Sequence, residues 1–232
     1  MELVTSKLTK KYGDYIAVDN VSFRLTPGVY GLLGANGAGK TTLMRMLCGV
    51  LKPTTGNIHL NGLDVTSEDY RARLGYLPQN FGYYPEFTGE HFLLYLSALK
   101  GLSRSHAKRK AEELLELVSL SNVKKKKIKT YSGGMKQRLG IAQVLLNDPN
   151  FIVLDEPTVG LDPKERVKFR NLIADLGKES IVLFSTHIVT DVEQIADHLL
   201  VIQEGNLLFN GKWDKTRTDL EALYLHDFGG VR

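Results

Sequence analysis

A chain of 232 residues is long enough for one large domain or a domain with a subdomain, and 43% hydrophobic with 24% charged residues is an ordinary globular mix. No apolar run approaches the roughly 18 residues of a membrane-spanning helix, and the longest, Phe92 to Leu99, is closed by Lys100. The net charge of +4 is only mildly basic, and the single cysteine excludes an internal disulfide.

Cys48 reads as a core residue, and a reducing cytosol fits. The first residues lack the basic, apolar, small-residue order of a signal peptide, so none is expected. Much of the basic excess is the run Lys124 to Lys127 with Lys129, which reads first as a solvated face and second as a contact for lipid headgroups or nucleic acid.

Residues 1–27 read as strands, with Val21, Phe23 and Leu25 alternating against Ser22, Arg24 and Thr26. Pro27-Gly28 turns the chain into an apolar run, Val29 to Leu33. A helix is predicted from Thr42 to Val50 with Leu43, Met46, Leu47 and Val50 on one face. Ile58 to Leu60 is a strand before the Asn61-Gly62 turn, and Leu74 to Pro78 a strand ending at Gln79. Residues 81–87 are aromatic and proline-containing. Helices are predicted from Glu90 to Lys100 with Thr88 as cap, from Ser105 to Val118, and from near Gly133 to a point before Asn147-Asp148-Pro149. Strand and helix alternate again afterwards: Phe151 to Leu154, Pro163 to Leu176, Ile181 to Phe184, a helix through Ala196, and a hairpin about Glu204-Gly205. A short polar tail over 212–232 holds a possible helix near 220–225. The expected architecture is α/β: a core with a parallel sheet, an N-terminal antiparallel β-subdomain (both within 1–84 and 149–211) and an inserted α-helical subdomain over 85–148.

The most informative stretch is Gly34 to Thr41, which matches G-x-x-x-x-G-K-[ST] between an apolar strand and a helix, so the α/β core is expected to be a P-loop NTPase core. Gly34, Gly37 and Gly39 let the backbone, with Asn36 and Ala38, curl until several N–H groups point at one anion. The helix adds its positive end through Thr42, Lys40 brings charge to the β- and γ-phosphates, and the Thr41 hydroxyl suits Mg²⁺. Asp155-Glu156 follows an apolar strand at the end that faces a ligand crevice in a parallel sheet. Alone the two acids read as solvated loop residues. Beside a phosphate loop, Asp155 is placed to hold Mg²⁺ and Glu156 to act as general base on water.

Tyr131-Ser132-Gly133-Gly134-Met135-Lys136-Gln137-Arg138 resembles the signature sequence of the ATP-binding cassette (ABC) ATPases. The resemblance runs from about residue 2 to 211. It implies that Gln79 is the glutamine that contacts Mg²⁺ and water, that Gly160-Leu161-Asp162-Pro163 is the D-loop, that His187 contacts the γ-phosphate, and that Tyr12 stacks on adenine. It also implies two protomers packed head to tail, with each ATP between the phosphate loop of one and Ser132, Gly133, Gly134 and Asp162 of the other. Tyr131 replaces the usual leucine and Met135 the usual glutamine, so a polar contact from Met135 to nucleotide is not expected. The helices look most like the branch that exports drugs, peptides and polysaccharides.

The implied protein is the ATPase subunit of a membrane transporter, with ATP and Mg²⁺ as cofactors. It would sit peripherally on the cytoplasmic face of the membrane, as a homodimer or beside a second ABC ATPase, with the pore in a separate transmembrane permease chain and no nucleic acid partner. Phe81, Tyr83, Tyr84 and Phe87 read equally as the grip on that permease or as core of the helical insert. Alternatives are a soluble ABC ATPase acting on ribosome or DNA, for which paired cassettes and heptads are missing, and an importer subunit, against which the short tail speaks. An unrelated GTPase or kinase fails on the signature and on the missing N-K-x-D motif.

Overall fold

Alternation along the apolar strands decides the architecture. The computed structural model describes residues 1–186, 189–214 and 220. β1 (Leu3–Tyr12) and β2 (Tyr15–Leu25) form a hairpin about Gly13-Asp14, with Tyr12 directly opposite Tyr15. β3 (Gly28–Leu33), buried along its whole length, leads into α1 (Lys40–Leu47). β4 (Thr55–Leu60) turns through Asn61 and Gly62, both at positive φ, into β5 (Leu63–Asp64). α2 (Glu68–Ala72), capped by Ser67, precedes β6 (Leu74–Leu77). Three helices then intervene: α3 (Gly89–Leu99), α4 (Arg104–Leu117) and α5 (Gly133–Val144), capped by Thr88, Ser103 and Ser132. The chain closes with β7 (Phe151–Asp155), α6 (Pro163–Gly177), β8 (Ile181–Ser185), α7 (Val189–Ile195), and the hairpin of β9 (His198–Gln203) and β10 (Asn206–Lys212).

β1, β2, β4 and β5 make an antiparallel sheet in the order β2-β1-β4-β5. The second sheet runs β10-β9-β3-β8-β7-β6, parallel except for β10. Its strands are apolar on both faces because each face has its own core. Phe151, Val153, Ile181 and Leu183 pack toward α1 and the antiparallel sheet, whereas Ile152, Leu154, Val182 and Phe184 pack toward the helices on the other side. No helix among the described residues is long and apolar enough to cross a membrane.

Three local expectations change. The helix after the phosphate loop spans Lys40–Leu47 and ends before Gly49 at φ +67°, so Val50 leaves the apolar face and is 65% exposed. α4 opens at Arg104, because the Ser103 hydroxyl, not that of Ser105, accepts from the His106 N–H. α2 is new. Its Tyr70 is fully buried, and its hydroxyl donates to the Leu47 carbonyl at 2.6 Å, closing one of the carbonyls that the end of α1 leaves unpaired. Tyr70→Phe should therefore cost about 1–2 kcal/mol, read as a lower urea midpoint at unchanged m-value.

Candidate functional site

The carboxyl ends of β3, β8 and β7 meet in one rung, Leu32 beside Ser185 and Ser185 beside Asp155. Ser185 is fully buried there, and its hydroxyl donates to Asp155 Oδ1 at 2.7 Å. The Glu156 N–H is shared between the Ser185 hydroxyl (3.2 Å) and the Ser185 carbonyl (3.1 Å). Those bonds hold Glu156 at φ +53°, a left-handed conformation that ordinary residues rarely adopt. One serine thus orients both acids. Asp155 is only 4% exposed, so its carboxylate is fixed by the fold rather than by solvent.

Across an open cleft of about 280 Å³ lies the loop before α1. Gly39, at φ +108°, sits so close to β2 that a Cβ would run into the Ala17 carbonyl oxygen, and a Cβ at Gly34 would run into the Ile202 carbonyl of β9. Gly37 meets nothing, and its φ of +83° alone favours glycine. Ala38 is buried, and its carbonyl accepts from the Gly205 N–H at 3.0 Å. Lys40 Nζ donates to the carbonyls of Gly34 (2.6 Å) and Ala35 (3.0 Å). Burial lowers the Lys40 pKa below the ordinary lysine range, while the charges of Glu156 and Asp155 oppose that shift.

Tyr12, Asn36, Gly37, Gly39, Lys40, Thr41, Thr42, Gln79, Asp155 and Glu156 all line this cleft. Gly34 and Ala38 are not among its lining residues. His187 lies outside the described residues, as does the tail beyond Asp214 apart from Leu220. Sequence reasoning missed Tyr15 and Ala17, which also line the cleft, and Ser185 beneath it. The signal for Tyr15 was its place opposite Tyr12 across a two-residue turn; the rings are 59% and 50% exposed. Lys10 Nζ lies 5.2 Å from the centre of the Tyr12 ring. Among the described residues no cluster of three His, Cys, Asp or Glu side chains could hold a metal by itself. Among the cleft's side-chain oxygens are those of Thr41, Gln79 and Asp155, a set suited to an ion that keeps several waters.

Ser132, Gly133, Gly134 and Asp162 are not among the residues lining that cleft. Each group opens a helix of its own. The Ser132 hydroxyl accepts from the Met135 N–H at 3.1 Å, and the Asp162 carboxylate accepts from the Glu165 N–H at 2.8 Å. The two glycines differ: Gly133 faces open space, whereas a Cβ on Gly134 would strike the Glu165 carboxylate, which pairs with Arg138 at 2.8 Å. Met135 packs its side chain against the helical core. Tyr131 is buried, donates to the Val123 carbonyl at 2.9 Å and packs on Gly89, so the tyrosine is a structural fit where leucine is usual.

The aromatic stretch divides. Phe81, Tyr83 and Phe87 pack against the helical core, and Tyr84 alone is open, 46% exposed beside Tyr95. The lysine run is partly paired: Lys127 and Lys129 both reach Glu86 at 2.9 Å, and their hydrogen bonds, more than their charges, hold that carboxyl down to about 2.

Ser185→Ala removes the Asp155 donor and loosens the Glu156 backbone together. ATP turnover should fall about tenfold, with nucleotide affinity changed less than threefold; paired kinetics and titration check it.

A family described as "ABC transporter" matches residues 18–159. The bacitracin transport ATP-binding protein of Bacillus licheniformis is 43% identical over 209 residues, 88% of this chain and 67% of that protein. The Nod factor export ATP-binding protein I of Burkholderia orbicola is 42% identical over 206 residues, 87% of this chain and 68% of that protein. A solved structure of an ATP-binding subunit of an ABC transporter superposes with a TM-score of 0.82 at 27% identity, covering 100% of this chain and 95% of that one. A family match over more than half of the chain, and relatives so similar over most of it, leave one conclusion: this chain belongs to the ABC transporter family as an ATP-binding subunit that hydrolyses ATP.

Proposed function

We propose that the protein powers export across a membrane by closing two ATPase protomers on two ATP molecules. The observation that carries the reading is the separation of two anion-ready places within one chain. The phosphate loop, Asp155 and Glu156 share a cleft, while the Ser132 helix start and Asp162 stand outside its lining. A second copy, or a second ABC ATPase, supplies Ser132, Gly133, Gly134 and Asp162 to the ATP of the first, and the exchange is reciprocal.

Within each cleft the chain's own residues divide the work. The Tyr12 ring takes the adenine face, with Tyr15 beside it. Backbone N–H groups of the loop and the α1 N-terminus hold the phosphates, and Lys40 turns from its loop carbonyls to the β- and γ-phosphates. Thr41, Gln79 and Asp155 would hold Mg²⁺, which when bound neutralises charge on the β- and γ-phosphates. Glu156 accepts the proton of the water that attacks the γ-phosphorus; the bond to the bridging oxygen breaks, leaving ADP and phosphate. His187 is assigned to the γ-phosphate by resemblance.

Association with a separate multi-span permease, and a peripheral place on the cytoplasmic face of the membrane, fit a chain without spanning helices among its described residues. Relatives named for bacitracin transport and Nod factor export favour export. Domain limits at 1–84 and 149–211 for the core and 85–148 for the helical insert follow the path of the chain. Tyr84 with Tyr95, rather than Tyr83, is the aromatic surface offered to the permease.

Two substitutions test the reading. Lys40→Ala should abolish ATP hydrolysis and weaken ATP binding by at least about tenfold. Glu156→Gln should bind ATP normally, hydrolyse it at least about a hundredfold slower, and run as a dimer with ATP in light scattering. Hydrolysis by the glutamine variant at the parent rate would remove Glu156 from the role of base.

A further inference from the structure

Residues 78–87 form neither helix nor strand, yet they connect the cleft to the signature helix. Gln79 lines the cleft at one end of the segment. Four residues on, the Tyr83 hydroxyl donates to the Lys136 carbonyl at 2.6 Å. Lys136 lies early in α5, and its own N–H donates to the Ser132 carbonyl at 3.0 Å. The Tyr83 ring is set edge-on to Phe81 at 4.9 Å and packs near Phe92 at 5.8 Å. A notch at Gly140 admits it: a Cβ there would stand 2.8 Å from Leu77 and 3.0 Å from the Tyr83 hydroxyl. Burial pushes the phenol pKa above its ordinary value, so the group stays a donor.

The same segment also holds the chain on the other side of Ser132. The Phe87 carbonyl accepts from the Ile128 N–H at 2.8 Å, and the Pro85 carbonyl from the Lys129 N–H at 3.0 Å. Glu86 adds ion pairs to Lys127 and Lys129. Ser132 is therefore bracketed, from Lys129 before it to Lys136 after it, by bonds to residues 83–87.

We propose that Tyr83 is a positioning residue: its hydroxyl on the Lys136 carbonyl makes Ser132 follow the segment that carries Gln79, so that one copy presents its signature helix only when its own cleft is set. The proposal rests on the two-copy reading above. The physical requirement is that both ends move together. An internal hydrogen bond and an aromatic cluster resist shear, whereas surface ion pairs on long side chains do not.

The test is Tyr83→Phe, which keeps the ring and removes only the hydroxyl. Binding of a fluorescent ATP analogue and the melting temperature should match the parent. The turnover number should fall about fivefold, the equivalent of one hydrogen bond, with KM for ATP within twofold. In the Glu156→Gln background the same change should raise about fivefold the ATP concentration needed to form the dimer. Parent turnover with unchanged dimer formation overturns the proposal, and so does a loss confined to KM, which would assign Tyr83 to nucleotide binding. A Glu156→Gln protein that stays monomeric with ATP overturns the two-copy reading and this proposal with it. Should Tyr83→Phe lower the melting temperature by more than about 5 °C, Gly140→Ala, whose Cβ would stand 3.0 Å from the Tyr83 hydroxyl, disturbs the same bond from α5. Its turnover must then fall at unchanged KM, and parent turnover overturns the proposal equally.

Discussion

The parallel register of β3, β8 and β7 is the constraint on which the site depends. It sets Leu32, Ser185 and Asp155 side by side, so the loop that follows β3 and the acids that end β7 face the same cleft. A slip of one residue along β8 would turn Ser185 to the other face and bring Phe184 or Thr186 against Asp155 in its place. Asp155 would then be a buried carboxylate without its serine donor, and Glu156 would lose the bond that holds it at positive φ. The two apolar cores oppose such a slip, since each face of β8 is committed: Ile181 and Leu183 to one, Val182 and Phe184 to the other.

The glycines of the two glycine-rich motifs share a residue type but not a reason. Gly37 supplies a backbone angle. Gly39 supplies an angle and a close approach to β2, and Gly34 a close approach to β9. The phosphate loop is thus clamped from outside by two strands of different sheets, which fixes where its N–H groups point at little entropic cost on binding. In the signature, Gly133 leaves the helix start open, while Gly134 lets Glu165 of α6 lie against α5 and meet Arg138. That contact joins the Ser132 and Asp162 helix starts.

Departures from the commonest signature fall where packing explains them. Tyr131 finds the Val123 carbonyl and fits against a glycine, Gly89, where a side chain would collide with its hydroxyl. Met135 turns to the apolar core. Neither change touches the Ser132 cap. The aromatic stretch after Gln79 is likewise mostly internal, so the cleft and the signature helix are linked by packed rings and backbone bonds.

The amino-acid order by itself determined the elements with strong local chemistry. The glycine-lysine loop between an apolar strand and a helix, the Thr88 and Ser132 caps, the Asn61-Gly62 turn, the continuously apolar strands and the acid pair after β7 are all written in neighbouring residues. Family and ATPase chemistry were legible from the same stretches. What only the tertiary structure decided involves residues far apart in the chain: Ser185 under both acids, Tyr15 beside Tyr12 in the cleft, Glu165 against Gly134, Tyr83 on Lys136, and the exposure of Val50. Short-range propensity carries no information about such meetings. They arise because burying both faces of one parallel sheet brings distant strand ends together, and polar groups buried on the way must find partners there.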